Sequence, residues 1–189
     1  PVNTAGAEAK PSISADGNDL YFVRVGDIWV SRKAAGLWGT PVKLASPVNT
    51  PAQENSPSVT ANGLKLYFTS DRTGGLGDLD VWVSTRATTG SLWGTPANLG
   101  SAVNSPFLDW YVAVAPDDSA LYVISSRPGG YGDIDLWVSR RLTGGAWGAA
   151  VNAGPPLNWS GPICHPTVSA DGQTLFFGVV VQAKVGRLK

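Results

Sequence analysis

The sequence predicts an all-β fold, a β-propeller of four-stranded antiparallel blades, and three observations support it. A hairpin pattern, two apolar runs around an Asp-Gly-type turn, is written four times, with starts at Pro11, Pro57, Val112 and Pro166. The starts are 46, 55 and 54 residues apart, a period typical of propeller blades. A strand with a central Trp follows each of the first three hairpins. We expect one domain over residues 1–189, with units at about 1–46, 47–101, 102–155 and 156–189.

Each unit begins with a connector that carries an Asn. The four connector residues are Asn3, Asn49, Asn104 and Asn158, and each lies eight residues before its hairpin start. A connector of constant length predicts a fixed geometric task, which is to carry the chain from the outside of one blade to the inside of the next.

The hairpin turns share small polar residues that tolerate a positive φ. They lie at Asp16-Gly17, Asn62-Gly63, Asp117-Asp118 and Asp171-Gly172. Such pairs are typical of two-residue reversals between twisted strands, so we expect a tight two-residue turn in each hairpin.

The third strand of each blade has an Asp at its head and a Trp at its centre: Asp27 to Ser31, Asp80 to Ser84 and Asp135 to Ser139. Alternation places the Trp on one face and aliphatic residues on the other, so both faces are expected to be covered. A fourth strand is predicted around residues 37–44, 92–99 and 146–152, with prolines that suit an edge strand. The last unit ends at Lys189 without these two strands, so we expect about 3.5 to 4 blades, with Gly178 to Lys189 able to supply one more strand.

These motifs resemble a known repeat family. The pattern Pro-x-x-Ser-x-Asp-Gly-x-x-Leu-Tyr-Phe is followed by the Gly-rich loop from Ser70 to Asp80 and then by Val-Trp-Val-Ser. It closely resembles the WD40-like repeats of TolB-type β-propellers, which occur in bacterial envelope and secreted proteins. The resemblance covers essentially the whole chain and implies the fold and a periplasmic or extracellular location. It implies no single activity, because such propellers serve as binding platforms, accessory domains and enzymes.

Composition excludes several function classes. Acidic and basic residues are equal in number at 14 each, so the chain has no excess positive charge to gather nucleic acid. No stretch approaches the roughly 20 apolar residues that cross a bilayer. The single Cys cannot form an internal disulfide, and the single His gives little support for a zinc site. We expect no cofactor and assign no metal ligands.

An acidic residue lies five positions after the connector Asn in three units. These residues are Glu8, Glu54 and Asp109, and Ile163 takes the position in the fourth unit. Carboxylates around a channel mouth are able to accept hydrogen bonds from a ligand. The alternative is that each one caps the backbone N–H groups of its own connector.

Residues that differ between equivalent positions are the better functional candidates. Phe107, Trp110, Tyr111 and Trp159 lie in two successive connectors, whereas the connector before them has small and polar residues. Aromatic faces beside carboxylates suit carbohydrate or peptide recognition. The alternative is that these rings plug a narrow channel or cover a blade junction.

Two further motifs have a structural and a chemical interpretation. Cys164 and His165 are adjacent, but neighbours on a strand point to opposite faces and are poorly placed to share a proton. We expect His165 to line the channel mouth. The loops ending at Asp80 and Asp135 carry carboxylates two residues apart, which suits calcium, although an Asp also heads the strand at Asp27, where the loop is short. The sequence leaves calcium binding open.

The sequence therefore predicts a non-enzymatic propeller that binds a glycan or a protein segment at its channel mouth. The predicted ligand-binding residues are Glu54, Phe107, Asp109, Trp110, Tyr111, Trp159 and His165. One alternative is a glycoside hydrolase or polysaccharide lyase that uses Glu54 and Asp109 as acid and base. Another is a structural module whose unfinished blade docks onto a second copy or another chain.

Overall fold

The computed structural model describes residues 2–179, and every regular element in that range is a strand. Because of this, the described part of the chain has no helix long and apolar enough to cross a membrane. The strands form four antiparallel sheets, which we call blades 1 to 4 in chain order. The predicted all-β propeller architecture is confirmed.

The strands follow the same order in each blade. Blade 1 contains β1 (Glu8–Ile13), β2 (Asp19–Arg24) and β3 (Asp27–Ala34), with the short strands β4 (Leu37–Trp38) and β5 (Val42–Lys43) both pairing with β3. Blade 2 contains β6 (Glu54–Val59), β7 (Lys65–Ser70), β8 (Asp80–Thr85) and β9 (Ala97–Asn98). Blade 3 contains β10 (Asp109–Val114), β11 (Ala120–Ser125), β12 (Asp135–Arg140) and β13 (Val151–Asn152). Blade 4 contains β14 (Ile163–Val168) and β15 (Leu175–Val179), and the predicted further strand lies, from residue 180 onward, outside the described residues.

The outer strands are much shorter than the sequence predicted. β5, β9 and β13 have two residues each. Pro41 and Pro96 directly precede β5 and β9, and a proline has no N–H to pair with the third strand. Instead, Trp38 pairs with Lys33 near the end of β3, and Trp147 forms an isolated bridge with Arg141, just beyond the end of β12.

The hairpin turns are also not the predicted two-residue reversals. Only the second residue of each pair has a positive φ, for example Gly17 at 71° and Asp118 at 63°. In the first hairpin the N–H of Gly17 donates to the carbonyl of Ser14, and the Asp16 carboxylate accepts from the Asn18 N–H. The Asp therefore acts as a hydrogen-bond acceptor within a longer turn, and only the following residue takes the left-handed conformation.

The connector Asn performs the fixed task that its constant spacing predicted. The Asn49 side chain accepts the N–H of Ile28 at 2.8 Å and donates to the Ile28 carbonyl at 2.9 Å. Asn104 bonds the backbone of Val81 in the same way, and Asn158 bonds that of Leu136. Each Asn thus extends the hydrogen bonding of a third strand and fixes the start of the next blade.

Adjacent blades are joined by a repeated aromatic contact. The Tyr67 ring in blade 2 meets the edge of Trp147 from blade 3, with centroids 6.1 Å apart. Tyr21 meets Trp93 in the same way across the first junction, at 6.4 Å. Buried aliphatic residues from both blades surround each junction. These apolar layers, together with a third one between blades 3 and 4, form the core of the molecule.

The innermost strands are neighbours around a common axis. β1 lies beside β6, β6 beside β10, and β10 beside β14. This arrangement brings the middle of each innermost strand to the same central space, where the candidate site lies.

Candidate functional site

Four residues at one repeat position line a cavity at the centre of the molecule. Each directly precedes the hairpin start of its unit, and together they are Lys10, Ser56, Tyr111 and His165. We call them the channel ring. The cavity has a volume of about 160 Å³. Because the four side chains differ while the surrounding pattern repeats, the fold does not explain their identities.

The backbone of the channel ring is strained in three of the four units. Lys10, Ser56 and His165 have φ angles of 55°, 48° and 51°, in the left-handed region that favours glycine. The pairing register of each innermost strand shifts at the same place. A β-bulge of this kind redirects a side chain, and a non-glycine residue in this conformation costs about 1–3 kcal/mol. Because the bulge recurs at equivalent positions it belongs to the repeat, and the different side chains that line the cavity there mark this ring as a candidate functional site.

Aromatic and cationic groups meet inside the ring. The His165 ring lies 4.5 Å from that of Tyr111, measured between centroids. The Lys10 ammonium lies 4.9 Å from the Tyr111 centroid and donates to the Asn55 side-chain oxygen at 2.9 Å. Trp110 stacks on Tyr111 with centroids 5.1 Å apart. The structure thus brings together three of the predicted site residues, Trp110, Tyr111 and His165.

The surroundings of the ring change its proton affinities. Burial lowers the pKa of the Lys10 ammonium. Burial and, to a smaller extent, the charge of Lys10 lower the pKa of His165. Burial, followed by the nearby Cys164, raises the pKa of Tyr111. The ring therefore contains a Lys and a His that both bind a proton less readily than in water, and a Tyr that releases its proton less readily.

Phe107 and Trp159 lie on the connectors and are exposed by 45% and 44%. The Gly-rich loop of the preceding blade packs closely against the backbone of each residue. A Cβ atom added to Gly77 would lie only 2.3 Å from the Phe107 carbonyl oxygen, and one added to Gly132 would lie 2.8 Å from the Trp159 carbonyl oxygen, so a side chain does not fit at either glycine. Their rings are accessible, but neither lines the central cavity. Their role in binding stays a prediction.

Glu54 and Asp109 are buried and fully engaged by their own connectors. The Glu54 carboxylate accepts from the N–H and hydroxyl of Thr50 and from Arg72 at 3.0 Å. Asp109 accepts from the N–H of Ser105 at 2.7 Å and from Arg127 at 2.6 Å. Each carboxylate has a relative exposure of 0%, so neither presents an acceptor to a ligand in this structure.

Glu8, the equivalent residue in blade 1, also bonds one threonine and one arginine, but it is less buried. The Glu8 carboxylate accepts from Thr4 and from Arg24, the latter at 2.9 Å. Three acidic residues therefore cap three connectors in the same way.

The Gly-rich loops use their second Asp to bind backbone. Asp80 accepts from the N–H groups of Leu76 and Gly77, and Asp135 accepts from those of Tyr131 and Gly132. Burial raises the pKa of Asp80. Within residues 2–179, no group of three His, Cys, Asp or Glu side chains is arranged to hold a metal ion.

Cys164 and His165 diverge, as their alternation on a strand predicts. Cys164 packs with the apolar layer between blades 3 and 4, and its sulfur lies beside Gly178. His165 faces the central cavity. The two side chains point into different environments, so their adjacency in the sequence creates no nucleophile and base pair.

The sequence interpretation missed Lys10 and Ser56. Both occupy the same repeat position as His165 and Tyr111. Aligning the four units on their hairpin starts would have found them, but attention to aromatic and acidic residues passed over a Lys and a Ser.

Comparison with known proteins finds similarity at the level of structure alone. No family model matches the sequence, and no match is found among curated proteins. A structure from Agrobacterium tumefaciens described as TolB superposes with a TM-score of 0.59 at 18% identity, over 92% of this chain and 54% of that one.

Two other solved structures are also similar. Hydrazine synthase from Kuenenia stuttgartiensis gives a TM-score of 0.51 at 16% identity, over 92% of this chain and 42% of that one. A puromycin-hydrolysing peptidase from Mycobacterium tuberculosis gives 0.53 at 18% identity, over 88% and 24%. The chain thus spans about half or less of the length of these structures, and identities this low identify the fold alone.

Proposed function

We propose that this chain, whose fold is that of a TolB-type β-propeller, is a non-enzymatic binding platform that holds a protein segment at the mouth of its central channel. The observation that carries the proposal is the channel ring, where Lys10, Tyr111 and His165 differ from unit to unit around a cavity. Non-repeating side chains on a repeating scaffold are what a binding site on a propeller requires, because the scaffold itself needs only the repeated ones.

The packing of the rings favours a protein segment over a glycan. A sugar needs a flat aromatic face that is free to cover its apolar surface. The Tyr111 ring is in contact with Trp110, Lys10 and His165. The narrow cavity beside it suits a single side chain or chain end, with Trp110 stacked on Tyr111 and the exposed Phe107 and Trp159 on the adjacent connectors.

The enzyme alternative has less support. A glycosidase needs two carboxyl groups that flank one glycosidic bond. Glu54 and Asp109 are both buried, and each is paired with an arginine. We therefore leave them out of the proposed binding site and assign them to the connectors.

We further propose that the protein acts in the bacterial periplasm or outside the cell. The basis is the resemblance of its repeats to TolB-type propellers, and the fold similarity to the Agrobacterium protein is consistent with it.

Binding arrays test the proposed function. The purified chain is applied to a peptide array and to a glycan array, and hits are measured again by calorimetry with Trp110→Ala, Trp159→Ala and the control Leu92→Ala, an exposed residue of unit 2 outside both proposed sites. We expect peptide hits whose affinity falls at least about tenfold in Trp110→Ala and is unchanged in Leu92→Ala. Hits confined to the glycan array, hits that ignore both Trp110 and Trp159, or no hits on either array would overturn the proposal.

A second role, self-association between blade 4 of one copy and blade 1 of another, is favoured by one specific observation. Tyr21 and Tyr67 are covered by a Trp from the next blade, whereas the equivalent Phe176 is 56% exposed. Blade 1 carries Trp38 with the Lys33 ammonium 4.8 Å from its ring, the counterpart of the Trp that covers each tyrosine. We propose that blade 1 of a second copy covers Phe176.

Light scattering over a concentration series tests this second role. We expect a mass of two chains at high concentration and a mass of one chain for Trp38→Ala. A mass of one chain at every concentration in the unmodified protein would rule it out.

A further inference from the structure

We propose that the cavity of the channel ring binds one carboxylate group of the protein ligand, held between the Lys10 ammonium and the His165 imidazole. The inference rests on the proposed function, because the carboxylate belongs to the segment bound at the channel mouth. It adds the chemical group that the cavity selects and the two side chains that select it.

The residues that line the cavity include positive but no negative side chains. The lining contains Lys10 and His165 but no Asp or Glu. The adjoining cavity of about 470 Å³, which shares Pro11, Ser12 and Thr167 with it, is lined by no charged residue. The positive charge of Lys10 is therefore not cancelled within the central space.

Lys10 also lacks an ionic partner elsewhere. Lys10 takes part in none of the ion pairs among the described residues, and no described carboxylate lies within 4.0 Å of its ammonium. Its one hydrogen bond goes to the neutral Asn55 side chain. A partly buried cation without a counterion is costly, and an anion in the cavity removes that cost.

The hydrogen-bond donors fit one small anion. An ammonium has three N–H groups, and Asn55 takes one of those on Lys10. His165 supplies a ring N–H, and Ser12 and Thr167 contribute hydroxyls to the lining. A carboxylate accepts about four hydrogen bonds at its two oxygens, so these donors are sufficient for it.

A carboxylate suits the cavity better than a phosphate. Phosphate sites in proteins typically combine several cations or a nest of backbone N–H groups. The channel ring has a single Lys, and Pro11, Pro57 and Val112 in the lining offer an apolar wall beside it. That wall suits the hydrocarbon stem of an acidic side chain or of a chain terminus.

The single His of the chain provides a direct probe. We would follow the imidazole C–H signal of His165 by proton NMR while acetate replaces chloride at constant ionic strength. We expect a saturable shift and a higher pKa for His165 with acetate, and no change with acetamide, its neutral analogue. Inorganic phosphate is titrated in parallel. A larger response to phosphate, or no saturable response to acetate, would overturn the choice of a carboxylate.

Matched variants identify the cation. Lys10→Gln removes the charge in the ring, and Lys43→Gln removes an equal charge from the surface of blade 1, where Lys43 pairs with Asp27. We expect acetate affinity to fall about tenfold in Lys10→Gln and to stay unchanged in Lys43→Gln. An equal response in both variants would show that the acetate effect is nonspecific.

Peptides distinguish the source of the carboxylate. Acetylated trialanine with a free C-terminus is compared with its C-terminal amide and with an amidated acetyl-Ala-Glu-Ala peptide. We expect only the two peptides with a carboxylate to displace acetate, and their relative strength shows whether the site prefers a chain end or an acidic side chain. Array peptides that bind through Trp110 without displacing acetate would overturn this inference and leave the proposed function intact.

Discussion

Two sets of charged residues near the centre of the molecule behave in opposite ways. In the Gly-rich loops, Arg72 and Arg127 occupy equivalent positions and each pairs with a buried carboxylate, Glu54 or Asp109. In the channel ring, Lys10 occupies a position where the other units have Ser, Tyr and His, and no described carboxylate pairs with it. The two repeated ion pairs are satisfied within the fold, whereas the Lys10 charge has no ionic partner among the described residues.

This difference separates structural charges from candidate functional ones. A charge needed by every blade recurs in the repeat together with its partner. Arg127 shows this well, because it also bonds Ser125 and the carbonyl of Val103 and stacks over Trp137. A charge that serves a ligand has no reason to recur. The predictions below test this distinction by removing members of each set.

The largest effect is expected for Arg127→Ala. The variant leaves the buried Asp109 carboxylate without its cation, and breaking a buried pair in this way costs about 3 kcal/mol or more. Urea denaturation measures the loss in the free energy of unfolding. The matched variant Lys10→Ala removes a cation without an ionic partner and should cost less than about 1 kcal/mol. Equal losses in the two variants would contradict the distinction between the two sets.

A smaller effect is expected for Asn104→Ala. The variant leaves the buried N–H and carbonyl of Val81 without their side-chain partner, which costs about 2 kcal/mol. Asn3, at the equivalent position of the first connector, is exposed, and its side chain makes no hydrogen bond among the described residues. Asn3→Ala should therefore leave the urea midpoint unchanged. A comparable loss in both variants would mean that the connector Asn acts through the unfolded state.

The fold was predictable because the hairpin pattern occurs four times in the sequence. The hairpins, the central Trp residues and the constant connectors all repeat, and repetition removes the ambiguity of a single short apolar run. The lengths of the outer strands were not predictable from the same pattern. Proline alone does not set them, because β13 is as short as β5 and β9 although Ala150 stands where they have Pro41 and Pro96.

The candidate site was only partly predictable. Trp110, Tyr111 and His165 stood out as residues that do not repeat, and the structure brings them together. Glu54 and Asp109 were selected by their acidity, but their burial depends on Arg72 and Arg127, which lie 18 residues further along the chain. Such pairings between separate segments become visible only in three dimensions.

A still smaller effect is expected for Tyr67→Phe at the junction of blades 2 and 3. The Tyr67 hydroxyl bonds Asp118 at 2.6 Å and Arg141 at 2.8 Å, and burial raises the pKa of Tyr67. Its loss should cost about 1 kcal/mol, because Asp118 and Arg141 still pair with each other. The equivalent Tyr122 has no such pair in the described residues, so Tyr122→Phe should cost nothing in the same urea titration.

The smallest effect concerns the pH dependence that the channel ring gives to stability. Burial and the Lys10 charge hold the pKa of His165 below its ordinary value of 6.5. The unfolded chain therefore takes up a proton at His165 before the folded chain does, so stability falls as the pH drops below about 6.5. Groups that face this imidazole from neighbouring strands are Lys10 on β1 and Tyr111 on β10.

Lys10→Gln removes one of the two causes of this shift, so the pKa of His165 should rise towards 6.5 and the loss of stability in acid should shrink. The measurement is the change in urea midpoint between about pH 7.5 and about pH 5.5, together with the His165 pKa from NMR. His165→Gln supplies the baseline from all other titrating groups. If Lys10→Gln left the pKa of His165 unchanged, the Lys10 charge would not act on the imidazole. The ammonium and the imidazole would then be too weakly coupled to share one carboxylate, which would contradict the proposed ligand of the cavity.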